Sequence, residues 1–538
     1  MSVGQACPRT RTTMIRTTIA PPPLNTYVRL SLLLLAGGLS QQASALTFQP
    51  SEDVSVDWDT TLSYSLAWRT EKRDHKLVRN ADGNDGDNAF DRGSLITDRV
   101  GFLTEANLRW QENYGLFMRA SGFYDRAYDQ SNDNDSGTSN CFASGVCSKP
   151  NRFPKDTVDQ HRDDLRMLDA YAYGTWDMAG HNLNLRVGDQ VVSWGESLFY
   201  PGVSGAQSPV DATKATTPGV EVKEVLLPVG QVFGQFSLTD DLDVEAYYQY
   251  KWKKTQLFGV GSYFSYTDYI DRGGYSDASG FVRRLKDDEP SDSGQYGVAL
   301  RYSAASLNNT EFGLYYVRYH DKTPTLDFQS DLGFYRARYF DNIDLYGASF
   351  ATVLGDTSLA GEVSYRDGQP VMVDNGFSSA VRAETLQAQV SAIHVFGPNA
   401  FADNTTLTAE LIYNTVLDND KSAPLTLAPG LTLAGTDTLV GDRDAWGYTI
   451  QVNFDYNDVF SGWDMSVPIN FSTAAQHDSA LTGSINYGQG DDRASIGTTW
   501  RYLGNFTVEA LYSAYLGNAN NSPWADRDNV ALNFKYRF

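Results

Sequence analysis

The chain has 538 residues, a formal net charge of −23 and an aromatic content of 13%. Such an acidic balance argues against nucleic acid as a partner, because a phosphate backbone needs a basic surface. Long stretches with the 3.6-residue apolar period of a soluble α/β enzyme are almost missing, whereas abundant Tyr, Trp, Gly, Asn and Asp favour half-polar strands joined by polar loops.

The first 45 residues have the layout of a secretory signal peptide. Basic residues precede the apolar run Leu30–Leu39, and a small-x-small cleavage site follows at 43–45. The apolar run is too short to cross a bilayer as a helix, which takes about 20 residues. We therefore expect cleavage after Ala45, so that residues 1–45 are removed and residues 46–538 remain; an uncleaved anchor is the alternative.

Alternating apolar and polar residues recur through the rest of the chain. The segments "VSVDWDTTLSYSLAWRT", "DVEAYYQYKWKK" and the terminal "NVALNFKYRF" each place an apolar or aromatic side chain at nearly every second position. This period is that of a strand with one apolar face. We count about 18 strands, within a range of roughly 14–20, each of about 10 residues, which is the length that a tilted strand needs to cross a bilayer.

Short turns alternate with long polar segments, the long ones being 70–95, 129–165, 255–293 and 417–443. This asymmetry is typical of a membrane barrel, with short periplasmic turns and long outer loops. A β-sandwich stack or a propeller would also alternate, but no repeat of about 40 residues is evident. We therefore predict that residues 46–538 form an all-β fold, a closed antiparallel transmembrane β-barrel whose last strand pairs with its first.

Aromatic residues stand near the ends of several predicted strands, where the interfacial girdles of a membrane barrel lie. They are Trp68, Trp110, Trp252, Trp446, Trp463, Trp500 and Tyr536. The terminal Phe538, on an alternating strand, resembles the signal that bacterial outer-membrane proteins present to the barrel assembly machinery. That resemblance implies the outer membrane of a Gram-negative bacterium, with outer-membrane lipid around the barrel.

The stretch 186–230 breaks the alternating pattern. Its prolines, Pro201, Pro209, Pro218 and Pro228, rule out a continuous strand or helix, yet the stretch is rich in apolar residues. Irregular backbone at membrane depth is tolerated where protein or water surrounds it, but not where lipid does. We therefore expect residues 194–230 to fold inward as a plug or constriction; a lid docked on the outer mouth is the alternative.

This stretch and the end of the strand before it supply the residues that we predict for the solute path and plug. They are Arg186, Gln190, Trp194, Glu196, Phe199, Tyr200, Asp211, Glu221, Lys223 and Glu224. Carboxylates buried there need hydrogen bonds or the cations Arg186 and Lys223. Phe199, Tyr200 and Leu226 could form an apolar patch for a hydrophobic solute, although packing of the plug is their favoured role.

The same stretch carries a family resemblance. The runs "RVGDQVVSWGES", "SPVD" and "PGVEVKEVLLPVG" resemble the pattern of a Gram-negative outer-membrane family catalogued as domain of unknown function 1302, and the resemblance runs from about residue 46 to the end. Ser208-Pro209 departs from the family's usual Asn-Pro. The resemblance implies a barrel that moves or receives hydrophobic or lipid-like compounds, alongside an outer-membrane lipoprotein and an exporter of the resistance-nodulation-division type. It supplies no catalytic residues.

A gated channel for hydrophobic or lipid-like compounds is the function that we predict. An alternating wall with a polar inner face provides a solute path, and the strand at 243–254 would line it with acids, an amide and lysines. An outer-membrane hydrolase is an alternative, but "GVSGA" misses the Gly-x-Ser-x-Gly motif, and a serine near one of the six histidines easily arises by chance. We predict neither an enzyme nor a cofactor.

A structural or adhesion barrel with ligand-binding outer loops is the other alternative. The stretches "NADGNDGDNAFDRG" and "SNDNDSG" could hold Ca²⁺ through oxygen ligands, but Gly93 stands where a loop opened by Asp82 would need its closing Glu. Solvated turns are therefore favoured, and no metal site is predicted. Cys141 and Cys147, close together in an exported chain, predict a small disulfide.

Overall fold

The computed structural model describes residues 46–538 except 130, 278–279, 281, 330–332, 375–377, 429, 482–484 and 487. The predicted signal peptide, residues 1–45, lies outside the described residues. The strands are β1 (Leu46–Ser51), β2 (Val54–Arg69), β3 (Leu95–Trp110), β4 (Tyr114–Asp125), β5 (Asp163–Met178), β6 (His181–Gln190), β7 (Val229–Thr239), β8 (Leu242–Gln249), β9 (Arg283–Arg284), β10 (Gln295–Ala304), β11 (Thr310–Tyr319), β12 (Thr325–Gln329), β13 (Phe334–Arg338), β14 (Ile343–Leu354), β15 (Thr357–Asp374), β16 (Ser378–Gly397), β17 (Asn404–Asn419), β18 (Leu425–Ala428), β19 (Leu431–Leu433), β20 (Asp444–Phe460), β21 (Trp463–Gln476), β22 (Arg493–Tyr502), β23 (Phe506–Tyr515) and β24 (Asn529–Arg537).

Helices are few and short, and all of them lie in connections between strands. The α-helices are α1 (His75–Val78), α2 (Asp85–Asn88), α3 (Asn140–Ala143), α4 (Lys155–His161) and α5 (Ala212–Ala215), and single 3₁₀ turns occur at Arg126–Tyr128, Val203–Ala206, Val222–Glu224 and Ala305–Leu307. Among the described residues, no helix is long and apolar enough to cross a bilayer.

Eighteen strands form a closed antiparallel ring. They are β2–β8, β10, β11, β14–β17 and β20–β24, each paired with the next, and β24 pairs with β2 from Thr61↔Arg537 to Arg69↔Asn529. The backbone of Phe538 continues this pairing through two hydrogen bonds with Thr60, of 2.8 and 3.0 Å. The predicted closed barrel of about 18 strands, with its last strand on its first, is confirmed.

Three smaller pairings lie outside the ring. β1 pairs with β2 from Leu46↔Trp58 and follows on from the end of β24 along the same side of β2. β12, β13 and β9 form one small sheet, and β18 and β19 form another, both within long loops. These short strands escaped sequence analysis because they are too brief to show a period.

The two faces of the ring differ in polarity. Glu362, Gln389 and Glu410 are buried on one face of β15, β16 and β17, while their neighbours on the other face are exposed apolar residues. The exposed apolar side chains of this outer face include Leu62, Val100, Leu116, Leu165, Val187, Val232, Val298, Leu314, Val363, Val390, Leu411, Ile450, Ile469 and Ile496. An apolar exterior around a polar interior is the pattern of a barrel surrounded by lipid.

Long connections lie at one end of the ring and short turns at the other. The long loops include 70–94, 126–162, 250–294 and 516–528, whereas 179–180, 240–241 and 355–356 are tight turns. The long loops share an apolar core that includes Phe90, Tyr128, Phe153, Tyr263 and Trp524. They therefore pack on one another over the barrel's end.

Three further sequence predictions fall in this loop layer. Trp252 is wrongly placed in an interfacial girdle, because β8 ends at Gln249 and Trp252 is buried beside Tyr339, with ring centroids 5.0 Å apart. For the same reason, Lys251 and Lys253 lie beyond the strand that was expected to carry them. Cys141 and Cys147 are joined by a disulfide across 5.1 Å between their Cα atoms.

Candidate functional site

The irregular chain between β6 and β7, residues 191–228, is named the β6–β7 segment here. It leaves β6 next to Gln190, which is fully buried and whose amide donates 3.1 Å to the carbonyl of Gln231 on β7. Arg186, earlier on β6, lies over the rings of Phe233 and Tyr171, 4.3 and 5.9 Å from their centroids. Arg186 forms no ion pair with the segment's carboxylates in the described structure, so its predicted role as their counter-ion is wrong.

Trp194 fixes the start of the segment to the wall. It is 1% exposed, and its indole N–H donates 2.6 Å to the carboxylate of Glu245 on β8. Its ring lies 4.9 Å from that of Tyr247 and 6.0 Å from that of Tyr315. Glu245 and Tyr247 belong to the polar register of β8, so Trp194 packs against the inner face of the barrel.

A single carboxylate on β17 holds the middle of the segment. Glu410, 2% exposed, accepts backbone N–H groups from Leu198 at 3.1 Å, Phe199 at 2.5 Å and Tyr200 at 3.0 Å. Consecutive backbone N–H groups converging on one anion form a strong charge-assisted arrangement. The segment thus bonds to the wall far from β6 and β7 in the ring.

Glu362 on β15 acts in the same way. Its carboxylate accepts the backbone N–H groups of Glu196 at 2.7 Å and of Val203 at 2.9 Å. Glu362 is 6% exposed, and the two residues that it holds bracket the part bound by Glu410. Together the two wall glutamates satisfy backbone donors that an irregular chain would otherwise bury unpaired.

Wall side chains also donate to the carbonyl groups of this stretch. Gln389 donates 3.1 Å to the carbonyl of Tyr200, and Gln387 donates 2.9 Å to that of Pro201. Arg366 donates 2.9 Å to the carbonyl of Gly202. In residues 198–203, both backbone N–H groups and backbone carbonyl groups are therefore hydrogen-bonded to side chains of β15, β16 and β17.

The second half of the segment contacts the opposite part of the ring. Asp211, 1% exposed, pairs with Arg166 of β5 at 3.0 Å and accepts the backbone N–H of Thr213 at 3.1 Å. Lys223 pairs with Glu105 of β3 and, at 3.2 Å, with Glu221. Lys223 thus has the predicted role of counter-ion.

The remaining two predicted carboxylates also have cationic partners. Glu224 pairs with Lys214 at 3.2 Å within the segment. Glu196 lies 3.7 Å from Arg301 of β10, whose guanidinium also meets Glu245 at 3.2 Å. The charges of the β6–β7 segment are therefore neutralised locally or by the wall.

Two of the three apolar candidates, Phe199 and Tyr200, pack against protein. Tyr200, 6% exposed, joins a cluster with Ile412 and Ile485, against which Phe199 packs, and its hydroxyl accepts a 3.0 Å hydrogen bond from Thr449 of β20. Leu226 forms a β-bridge with Val210 inside the segment. The contacts of Phe199 and Tyr200 match the packing role favoured from the sequence.

The inner wall is unevenly covered. Between β8 and β17, the inward side chains at the level of the β6–β7 segment are buried, as Glu245, Tyr315 and Glu362 show. On β20–β23 many inward positions remain partly exposed, and most of these are small and polar. They include Gln451, Asn453, Asn470, Ser472, Ser495, Thr499 and Ser513. Partly exposed inward side chains mean that open space lies along β20–β23.

Open space also lies toward the short-turn end. A cavity of about 720 Å³ is lined by Glu196 and Leu198 of the segment and by wall residues such as Glu311 and Ile393. A second cavity, of about 360 Å³, is lined by residues of β17 and β20–β22, among them Asp455 and Arg501. At the short-turn end, open space therefore lies both beside β11–β16, below the segment, and along β17 and β20–β22.

A buried lysine in a loop also reaches the segment. Lys322, in the β11–β12 connection, is 4% exposed and donates 2.8 Å to the carbonyl of Ala206. Burial lowers the pKa of Lys322 to about 7. This contact depends on a group that titrates near neutral pH.

The histidines examined for catalysis bind structural partners. His161 and His320 accept the backbone N–H groups of Gly259 and Asn342, at 3.2 and 3.0 Å, and His394 lies 2.8 Å from the hydroxyl of Thr357. None of these three contacts involves a serine. Within the described ranges, no group of three or more His, Cys, Asp or Glu side chains could hold a metal ion.

Sequence reasoning missed the wall residues that hold the segment, above all Glu362 and Glu410. Each is a charged residue at an inward position of an alternating strand, in "LAGEVSY" and "TLTAELIYN". The alternation gives their face, and a buried charge in mid-strand signals a partner. Their partner could not be read from the sequence, because the contact joins segments more than 150 residues apart.

The fold is that of a closed 18-stranded β-barrel with an apolar exterior and a polar interior that binds an irregular segment. A family model described as "Protein of unknown function (DUF1302)" matches residues 26–538, and the chain belongs to that family. The predicted family resemblance is confirmed. A search of curated proteins found no match.

Solved structures with a similar course of the chain are bacterial proteins. Acinetobacter baumannii OccAB4 is 14% identical, with 91% of this chain and 100% of that chain covered and a TM-score of 0.44. Pseudomonas aeruginosa OccK2 (OpdF), in complex with glucuronate, is 10% identical, with 90% and 98% covered and a TM-score of 0.40. At these values nothing about substrate or mechanism transfers to this chain.

Proposed function

We propose that the protein is a porin-like channel in the outer membrane of a Gram-negative bacterium, and that it conducts small polar solutes along β20–β23. One observation carries the proposal: inward side chains such as Ser495 and Asn470 keep solvent-accessible surface, whereas those that the β6–β7 segment contacts between β8 and β17 are covered. Hydroxyl and amide groups such as those of Ser495 and Asn470 replace part of a solute's hydration shell without trapping a charge. The apolar exterior supports a membrane location.

We further propose that the β6–β7 segment narrows this channel. Its hydrogen bonds with Glu362 and Glu410, and the pairing of Lys223 with Glu105, attach it to the inner face at separate parts of the ring. Such attachment reduces the open cross-section while leaving β20–β23 accessible. Gating by movement of residues 194–230 stays a prediction. Loss of the hydrogen bonds to Glu362 and Glu410 would favour such a movement.

Hydrophobic or lipid-like cargo, implied by the family resemblance, also stays a prediction. Phe199 and Tyr200 use their apolar surface for packing against the wall. The solvent-accessible part of the wall, along β20–β23, is polar. These features favour a polar solute. The lipoprotein, the exporter and the assembly machinery likewise stay predicted partners.

Swelling of liposomes that contain the purified protein tests the channel. We expect swelling in isosmotic small sugars or amino acids, with rates that fall as the solute grows, and none in protein-free liposomes. An adhesion barrel or a hydrolase would leave these liposomes impermeable. Uptake of a hydrophobic dye with no permeation of polar solutes would instead support the cargo that the family resemblance implies.

A further inference from the structure

Two buried carboxylates meet where three long loops converge. Asp85 of loop 70–94 and Asp268 of loop 250–294 are 5% and 1% exposed. Asp268 accepts the backbone N–H of Asn84 at 2.9 Å and that of Asp85 at 3.2 Å. Asp85 in turn accepts the backbone N–H of Asn140, in loop 126–162, at 2.8 Å.

Neither carboxylate has a cationic partner in the part of the chain that the structure describes. Other buried aspartates of the loop layer are paired: Asp87, for example, meets Arg527. Two adjacent buried negative charges without a counter-ion are costly.

Asp85 and two asparagines near it, one on the same helix and one bonded to it, have buried side-chain oxygen atoms without hydrogen-bond partners. They are Oδ1 of Asp85, Oδ1 of Asn88 and Oδ1 of Asn140, from residues that are 5%, 1% and 5% exposed. Asn88 stands three residues after Asp85 on helix α2, so the two side chains share a face. Asn140 bonds directly to Asp85 through its backbone. Unsatisfied buried oxygens beside unpaired carboxylates point to a missing cation.

We propose that a Ca²⁺ ion binds at this junction, held by Asp85 and Asp268 with neutral oxygens from Asn88 and Asn140. Ca²⁺ prefers carboxylate and amide oxygens and tolerates irregular geometry completed by water. Two carboxylates balance its charge. The ligands come from three loops, which explains why no contiguous calcium-loop pattern is present in "NADGNDGDNAFDRG".

The burial of part of that stretch corrects the sequence-based expectation of solvated turns. Residues 85–90 are buried, whereas residues 135–137 of "SNDNDSG" are exposed. An ion at the junction would tie loops 70–94, 126–162 and 250–294 together over the barrel's outer end. Its removal would loosen the loops without opening the ring of strands.

Titration with Ca²⁺ and with luminescent Tb³⁺ tests the site, with lipopolysaccharide-free protein in detergent. We expect one ion per chain, with Tb³⁺ emission sensitised by nearby tyrosines and displaced by Ca²⁺. Asp85→Asn and Asp268→Asn should each weaken binding about tenfold or more. Asp135→Asn, at a loop carboxylate that is 82% exposed, is the matched control and should bind as the wild type does.

Limited proteolysis of the wild-type protein keeps the test independent of how the variants fold. We expect the three loops to be cut faster after chelation with EGTA and to be protected again by Ca²⁺, while the strands stay intact. Absence of stoichiometric binding by the wild type, or unchanged affinity in Asp85→Asn, would overturn the proposal. Either result would show that no Ca²⁺ ion is held between these two carboxylates.

Discussion

The backbone N–H of Tyr200 donates a hydrogen bond of 3.0 Å to the carboxylate of Glu410, although 210 positions separate the two residues. The same carboxylate accepts the N–H groups of Leu198 and Phe199. Because hydrogen bonds to a charged acceptor are about twice as strong as neutral ones, Glu410 is a main anchor of the β6–β7 segment. Its replacement should therefore act on the segment before it acts on the barrel.

Glu410→Gln should loosen the segment. An amide keeps one acceptor oxygen but turns an NH₂ group toward backbone donors, which costs roughly 1.5–3 kcal/mol of local stability. We expect a higher and noisier single-channel conductance in planar bilayers, with the barrel still resistant to unfolding in cold SDS. Glu384→Gln, at an exposed glutamate of β16, is the control and should conduct as the wild type does. Identical traces for both variants would contradict the anchoring role of Glu410.

Trp194→Phe should lower the stability of the folded protein. The phenyl ring keeps much of the packing against Tyr247 but removes the 2.6 Å hydrogen bond to Glu245. A buried carboxylate that loses a donor costs about 1–3 kcal/mol. The midpoint of thermal unfolding in detergent should fall, whereas Trp176→Phe, at an outward tryptophan that is 38% exposed, should change it little. Equal shifts in the two variants would show that the hydrogen bond is unimportant.

Lys322 should make stability rise with pH above neutrality. Its pKa is about 7 in the folded protein, because of burial, against an ordinary value of 10.5. Below about pH 7 both states bind the proton, so the full cost of burying the charge is present. Between about pH 7 and 10.5 only the unfolded chain binds it, and stability rises by at most about 1.4 kcal/mol per pH unit.

Lys322→Gln should remove this rise while retaining a donor for the carbonyl of Ala206. Chemical unfolding of wild type and variant, from neutral to alkaline pH, measures the difference between the two curves. Lys421→Gln, at a lysine side chain that is 71% exposed, should leave the wild-type profile intact. Parallel curves for wild type and Lys322→Gln would contradict the lowered pKa.

The ring of strands was predictable because alternation is a local signal that each strand carries by itself. "NVALNFKYRF" gives both the outward register of Val530 and Phe534 and the need for a partner strand, which the structure supplies in β2. The girdle prediction for Trp252 is wrong because the alternation of Tyr250 and Trp252 continues past the end of β8 into a loop. Local patterns do not show where backbone pairing stops.

Of the candidate site, only the segment itself was predictable from the sequence, and its partners on the wall were not. Proline and apolar content singled out residues 194–230, but the partners Glu362, Gln389 and Glu410 lie on strands whose place in the ring depends on every pairing before them. Arg186 shows the same limit, because it stacks on Phe233 instead of pairing with an acid. Charge alone does not reveal which cation a buried carboxylate meets.

Single-channel conductance of Ser495→Trp against Ile496→Trp tests the solute path along β20–β23 most directly. Ser495 points inward and is partly exposed, while its neighbour Ile496 points outward and is 50% exposed. Because the two substitutions add the same bulk one residue apart, only the inward one should obstruct the passage. We predict a severalfold lower conductance for Ser495→Trp and wild-type conductance for Ile496→Trp. Wild-type conductance in both variants would show that solutes do not pass along this wall.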